Sequence, residues 1–158
     1  MSDLIEPAVP ADFFHIAALD RISWVQTGLP YIADGEHIWR VWCEYATVLV
    51  ARHAEAQPLS ESGDVAGALV MFPTLTDELF LHKIMVHPDA RGGGIGSELM
   101  RAALRRASAA VLLTVDPDNN AAVKLYRNFG FDVRERIDGY YREQEDRLLM
   151  VHPGGSAP

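Results

Sequence analysis

The sequence predicts a mixed α/β (α+β) fold, with a mostly antiparallel central sheet and flanking helices, and three observations carry that expectation. Two amphipathic stretches open the chain. Hairpin-like pairs of short strands lie on either side of its middle. Between them, one strand runs through a glycine-rich turn into a helix and then a further strand. With 158 residues, 49% of them hydrophobic, the chain has the size of a single domain, expected over residues 1–152, with 153–158 as a disordered tail.

In "PADFFHIAALDRIS", Pro10 and Asp12 precede apolar residues at Phe13, Ile16, Ala17 and Leu19, which is helical spacing behind an N-terminal cap. In "EHIWRVWCEYA", Ile38, Val41, Trp42 and Tyr45 recur at three and four and predict a second helix whose apolar face they form, and "TGLPYIADG" is the turn-rich connection between the two. "TVLVA" reads as a strand. The polar "RHAEAQPLSESGD" joins it as a long hairpin connection to "VAGALVMF". "ELFLHKIMVHP" is mostly apolar, of strand length, and stopped by Pro88, so it predicts a buried central strand.

Beyond the glycines, Ile95, Leu99 and Ala103 fall at steps of four with Met100 and Leu104 beside them, and Arg101, Arg105 and Arg106 lie on the other face. "AVLLTVD" is a strand and "NNAAVKLYRNFG" a helix ended by Gly130. "FDVRERI" and "DRLLMV" are strands joined by the polar "DGYYREQE".

Composition excludes several function classes. Twenty-two acidic against fourteen basic residues give a formal charge of -8, so no broad field attracts phosphate backbones and nucleic acid is not an expected partner. The single cysteine, Cys43, lies in "WRVWCEYA", which reads as a buried helical face, and it cannot form an internal disulfide or a multi-thiolate metal site. His15, His37, His53, His82, His87 and His152 show no HExxH or similar ligand spacing, so no metal is expected. The N-terminal "MSDLIEPAVPADFF" begins acidic and carries no apolar run of signal-peptide length, and no stretch approaches the ~20 apolar residues of a membrane span. The expectation is a soluble cytoplasmic protein with no membrane partner, for which a homodimer is an allowed assembly.

The stretch "VHPDARGGGIGSEL" packs Gly92, Gly93, Gly94 and Gly96 between an apolar strand and an amphipathic helix. Glycine there costs backbone entropy unless backbone must come close to something. The amides of a helix's first turn have no partners inside the helix, and the dipole places partial positive charge at that end, so an anion can bind through backbone alone. Glycines let the anion reach several N–H groups, with Arg91 supplying formal charge at the rim. The alternative is a turn that lets helix and strand pack closely. A nucleoside-triphosphate loop would need lysine followed by serine or threonine after the last glycine, where Ser97 and Glu98 stand. The dinucleotide fingerprint has its first half in Gly92-x-Gly94 but places Ser97 at the third glycine, and hairpin-like strand pairs flank this unit instead of parallel windings.

The pattern Arg91-x-x-Gly94-x-Gly96 after an apolar strand resembles the acyl-CoA pyrophosphate loop of the GNAT (GCN5-related) N-acetyltransferases. "NNAAVKLYRNFGF" resembles that family's second motif, and "LIEPAVPADFFHIAAL" its first strand and helix. The likeness covers nearly the whole chain and is nearest in pattern to the ribosomal-protein N-alpha-acetyltransferases. It implies a GNAT-like sheet with a splayed strand pair for acyl-CoA, and acetyl-CoA as co-substrate. It further implies backbone of Ile84, Met85 and Val86 against the pantetheine arm, and pyrophosphate on Arg91, Gly92, Gly93, Gly94, Ile95, Gly96 and Ser97. Asn119 corresponds to a pantetheine contact, with a helix cap as the equal alternative. Tyr126 corresponds to the acid that protonates the departing thiolate; a phenol of pKa about 10 is protonated at neutral pH.

The position that carries a glutamate base in those N-alpha-acetyltransferases is Thr114 here. Glu78 and His82 share strand parity with Ile84 and are the candidate bases, with Asp116 and a water chain as alternatives. Tyr140 and Tyr141 match the paired tyrosines of the final hairpin and, with Tyr31, are candidate substrate-binding residues. The run Glu143, Glu145 and Asp146 reads as a solvated loop. The expected activity is acetyl transfer to a primary amine, either a protein or peptide N-terminus or a small amine. The alternative is a non-catalytic acyl-CoA-binding module.

Overall fold

The computed structural model describes residues 4–24 and 31–154. Thr27 to Pro30 of the expected connection between the first two helices lie outside the described residues, as do 155–158 of the expected tail. The elements are β1 (Leu4–Pro7), α1 (Phe13–Ser23), α2 (Glu36–Tyr45), β2 (Thr47–Arg52), β3 (Val65–Pro73), β4 (Leu79–Val86), α3 (Ile95–Arg106), β5 (Val111–Val115), α4 (Asn120–Asn128), β6 (Asp132–Ile137) and β7 (Arg147–His152). The strand order is β1-β2-β3-β4-β5-β7-β6. The pairs β1–β2, β2–β3, β5–β7 and β6–β7 are antiparallel, while β4 pairs in parallel with β5 at Leu79↔Val111 and Phe80↔Leu112. This is the mixed, mostly antiparallel sheet with helices that the hairpins and the single strand–turn–helix–strand unit predict. Among the described residues no helix is long and apolar enough to cross a membrane.

Contacts group the chain into two compact units, one of residues up to Phe72 with Lys83–Ala103, the other of Pro73–His82 with residues from Leu104 onward. The core of the first gathers Ile16 and Leu19 of α1, Trp39 and Cys43 of α2, Val48, Val50, Val65, Ala68 and Val70 of β2 and β3, and Met85 of β4. Burial pushes the Cys43 thiol up to about 11, so it packs as a small apolar side chain.

Three local expectations are corrected. The inward face of α2 is Trp39 and Cys43, whereas Ile38, Val41 and Tyr45 are exposed and Trp42 is half-buried. Trp39 wins because its indole N–H donates to the buried carboxylate of Asp20 at 2.9 Å, a fixed anchor that a periodicity of apolar residues does not register. Asp12 does not cap α1 with its side chain. It accepts the Val9 N–H at 2.8 Å and two hydrogen bonds from the Arg52 guanidinium at 2.9 and 2.8 Å. Burial alone would push the Asp12 carboxyl up; the hydrogen bonds from Arg52 and Val9 and the Arg52 charge outweigh it and hold the carboxyl below the usual range. β4 is central but alternates instead of being buried throughout. Leu81, Lys83 and Met85 are inside, and Phe80, His82, Ile84 and Val86 are half-buried.

Gly67 in β3 marks the seat of α3. A Cβ there would lie 2.9 Å from Ile95 Cγ2, 3.1 Å from Leu99 Cδ1 and 3.1 Å from the Met85 carbonyl oxygen. The last of these is backbone and cannot rotate away. Gly67→Val is therefore expected to cost about 1–3 kcal/mol by overpacking, read as a thermal midpoint several degrees below wild type. An unchanged midpoint would contradict the close seat.

In the second unit β7 lies between β5 and β6, and α4 ends at Gly130, which sits at φ +101, as the sequence predicts. No residue of α4 is fully buried; Leu125 is 47% exposed, and the ring of Tyr126 meets the edge of buried Phe131 at 6.0 Å. The packed chain extends past residue 152. Gly154 is buried, its N–H donates to His152 Nδ1 at 2.9 Å, and a Cβ on it would stand 2.6 Å from the Ala109 carbonyl oxygen.

Candidate active site

β4 leads into the glycine turn through a pinned histidine. His87 is 1% exposed, its N–H donates to Ala66 O at 2.8 Å, its Nδ1 accepts from Asp89 N–H at 3.0 Å, and its Nε2 lies 3.0 Å from Ser60 O. With Nδ1 accepting, the ring proton belongs on Nε2 and donates to Ser60. Beyond this anchor Gly92 and Gly94 adopt φ +87 and +84, conformations in the left-handed region that strain other residues. A Cβ on either would meet nothing within 4 Å, and on Gly93 only Ala90 O at 3.9 Å. Close helix–strand packing therefore does not account for these glycines, and open space lies over them. The first turn of α3 opens with Glu98 N–H on Gly94 O at 3.0 Å, so the amides of Ile95, Gly96 and Ser97 precede the helical ladder. An exposed loop without side chains at the N-terminus of a twelve-residue helix fits a pyrophosphate.

Arg91 does more than stand at the rim. Its Nε donates to Val86 O at 3.3 Å and its Nη2 to Ser23 O, at the C-terminus of α1, where a helix dipole favours a cation. A cavity of about 450 Å³ in the same unit touches the loop at Gly93, but His53, Glu55, Asp89 and Glu98 line it. Three carboxylates would repel a pyrophosphate, so this cavity does not suit one.

One residue before Ile84, β4 carries Lys83, 9% exposed. Its Nζ donates to Asp20 Oδ1 and Oδ2, both at 2.9 Å, to the Tyr31 hydroxyl at 2.5 Å and to Asp34 Oδ2 at 2.7 Å. Asp20, with no exposed surface, also accepts the Asp34 N–H at 3.0 Å and the Trp39 indole. Tyr31 is stacked on Trp24 at 4.8 Å. Sequence reasoning named Tyr31 and missed the rest. The signal was there: a lysine inside "FLHKIMV" and an aspartate inside "IAALDRI" interrupt apolar runs at positions that alternation and helical spacing place inside.

In the second unit Tyr126 is half-buried and desolvation raises its phenol, so it stays protonated through the neutral range. Asn119 caps α4, its Oδ1 accepting the Ala122 N–H at 3.1 Å, which leaves the amide NH2 as the end able to donate. Asp116 Oδ1 accepts the Asp118 N–H at 2.9 Å in the turn before α4. Glu78 precedes β4 and is ion-paired with Arg134 at 2.7 Å. Hydrogen bonds from Arg134 first and Thr76 second hold its carboxyl below the usual range, which makes it a weak proton acceptor. His82 is half-buried on β4.

Tyr140 and Tyr141 meet edge to face at 4.8 Å, the Tyr141 hydroxyl lies 3.3 Å from Thr114 Oγ1, and the Arg147 guanidinium sits 5.1 Å from the Tyr141 ring centre. The acidic run beside them is not simply solvated. Asp146 binds Arg136 at 2.9 Å and accepts the Gly139 N–H at 2.9 Å, and Glu145 pairs with Arg142 and Arg147.

Comparison with known proteins follows the same lines. The model of the acetyltransferase (GNAT) family matches residues 16–131. The chain is 36% identical over 66 residues to an N-acetyltransferase of Methanocaldococcus jannaschii, an alignment covering 39% of this chain and 29% of that one, so it spans less than a third of that relative's length. It is 28% identical over 126 residues to an L-methionine sulfoximine/L-methionine sulfone acetyltransferase of Pseudomonas paraeruginosa, covering 68% and 73%. The ribosomal-protein-S18-alanine N-acetyltransferase of Escherichia coli shares the fold at TM-score 0.78 and 21% identity, covering 99% and 96%. Arabidopsis thaliana NAA60, solved in complex with acetyl-CoA, shares it at 0.72 and 18%, covering 95% and 97%.

Proposed function

The chain belongs to the acetyltransferase (GNAT) family, and on that premise we propose that it moves an acetyl group from acetyl-CoA to a primary amine by direct attack in a ternary complex. The observation that carries the reading is the exposed glycine turn at the N-terminus of α3, with left-handed Gly92 and Gly94 and open space above them. The amides from Gly92 to Ser97 take the pyrophosphate, Arg91 adds charge, and backbone of Ile84, Met85 and Val86 pairs with the pantetheine arm. The Asn119 NH2 donates to that arm while its oxygen caps α4.

His82 receives the proton that the acceptor ammonium must lose; Glu78, held by Arg134, is the weaker choice. The free amine forms the new C–N bond at the thioester carbonyl, the C–S bond breaks, Tyr126 delivers a proton to the departing sulfur, and the second proton that the nitrogen sheds on becoming an amide restores the Tyr126 phenol through solvent. Proximity supplies the largest part of the acceleration, because the second substrate is held against the first. Tyr31, Tyr140 and Tyr141 contact the acceptor. The relatives' names point to acceptors of two sizes, a small amino-acid analogue and an alanine of a ribosomal protein, and a primary amine is common to both classes.

The test is thiol release from acetyl-CoA, with mass detection of the acetylated product, across amino acids including methionine sulfoximine, polyamines and peptides with N-terminal alanine or methionine. Turnover above blank on one of these classes is expected. Acetyl-CoA binding with no transfer to any amine would instead favour the non-catalytic acyl-CoA-binding module.

A further inference from the structure

Resting on that reading, we propose that Lys83 is a positioning residue for acetyl transfer. Its ammonium, anchored on the buried carboxylate of Asp20, holds Tyr31 and Asp34 against β4 beside residues 84–86, and so fixes the acceptor-contacting segment relative to the bound acetyl-CoA.

The stoichiometry of the cluster supports a clasp. An ammonium has three protons, and Nζ directs them to Asp20, Tyr31 and Asp34 at 2.5 to 2.9 Å. Lys83 is therefore spent on holding and is not available as a base. Asp20 is the fixed end: it has no exposed surface and takes the Trp39 indole and the Asp34 N–H besides Lys83. Asp34 is the outer end, its side chain 28% exposed. Tyr31 is held on two sides, by Trp24 stacked at 4.8 Å and by the ammonium at its hydroxyl.

A purely stabilising role is a poor explanation for such a cluster. Buried ion pairs contribute little net stability over well-packed apolar residues, because desolvation offsets their attraction. What this one does uniquely is join the segment at Tyr31–Asp34, from between α1 and α2, to the strand whose next three residues offer backbone to the pantetheine arm. Successive strand residues lie about 3.3 Å apart. One residue's spacing on β4 thus sets acceptor segment against donor, and a displacement of about 1 Å between reacting groups can cost about a hundredfold in rate.

The experiment compares wild type with the double variant Asp20→Asn, Lys83→Met. The asparagine amide would keep an oxygen for the Trp39 and Asp34 N–H groups, and the one carboxylate left without the ammonium, Asp34, has a side chain 28% exposed and so reaches solvent. Lys83→Met alone would leave the Asp20 charge unpaired and serves as the control for damage to the fold. For the double variant the expected results are a cooperative thermal transition near that of wild type and an acetyl-CoA Kd by calorimetry within about twofold. With the best amine of the panel, kcat/KM is expected to fall at least tenfold and up to about a hundredfold. A simply destabilising change would lower the thermal transition and acetyl-CoA binding together and would not single out the acceptor step. A double variant that folds, binds acetyl-CoA and keeps wild-type kcat/KM overturns the proposal alone. Wild-type protein that binds acetyl-CoA but acetylates no amine overturns the functional reading and this proposal with it.

Discussion

Replacing Tyr126 by Phe is expected to lower kcat by about 10- to 100-fold while leaving acetyl-CoA affinity unchanged. General acids contribute about 10²–10⁴ where the leaving group is a poor one. A thiolate, with a free pKa of about 8.5, departs more readily than an alkoxide or an amide nitrogen, which places the loss at or below the low end of that range. The fold should tolerate the change. Tyr126 is half-buried and its ring, retained in Phe, meets Phe131 edge to face at 6.0 Å. Desolvation raises the Tyr126 phenol, so its proton is present below its ordinary pKa of about 10 and is lost only above it. The wild-type kcat should therefore show no alkaline fall from this group at or below pH 9. Equal turnover by the Phe variant would remove Tyr126 from the chemistry.

The glycine turn yields the second large effect. Gly94→Val is expected to weaken acetyl-CoA binding about 100-fold, equivalent to about 2.7 kcal/mol, with a smaller loss of thermal stability. Gly94 sits at φ +84, where a β-branched residue is strained, and nothing packs on it that would hold the chain in place. The turn should relax toward negative φ and turn its amides away, and each charge-assisted hydrogen bond lost is worth about 1.5–3 kcal/mol. Calorimetry on the folded variant checks this; unchanged affinity would mean the pyrophosphate is held elsewhere.

Much of this was legible in the sequence for identifiable reasons. The glycine turn declared itself because glycine at a helix start has a strong backbone cause, and the structure adds that close packing is not that cause. The face of α2 was misread because apolar spacing favours Ile38, Val41 and Tyr45, while the side that wins is set by one hydrogen bond from Trp39 to Asp20 in another helix. The Lys83 cluster joins residues 63 positions apart, and Glu78 meets Arg134 across 56. Such pairs leave no local pattern; only a charged residue in an apolar run hints at them. The proposed acceptor side is least legible, because the partners of Tyr31 and of the Tyr140–Tyr141 pair are set by tertiary placement and no local motif fixes them.

The most direct measurement is calorimetric titration of the purified chain with acetyl-CoA, with acetyl-pantetheine and NAD as parallel titrants. A single site of micromolar Kd for acetyl-CoA, far weaker binding of acetyl-pantetheine, which lacks the pyrophosphate, and no binding of NAD are the expected results. No heat from acetyl-CoA, or equal affinity with and without the pyrophosphate, would contradict the cradle at residues 91–97 and withdraw the roles assigned from it.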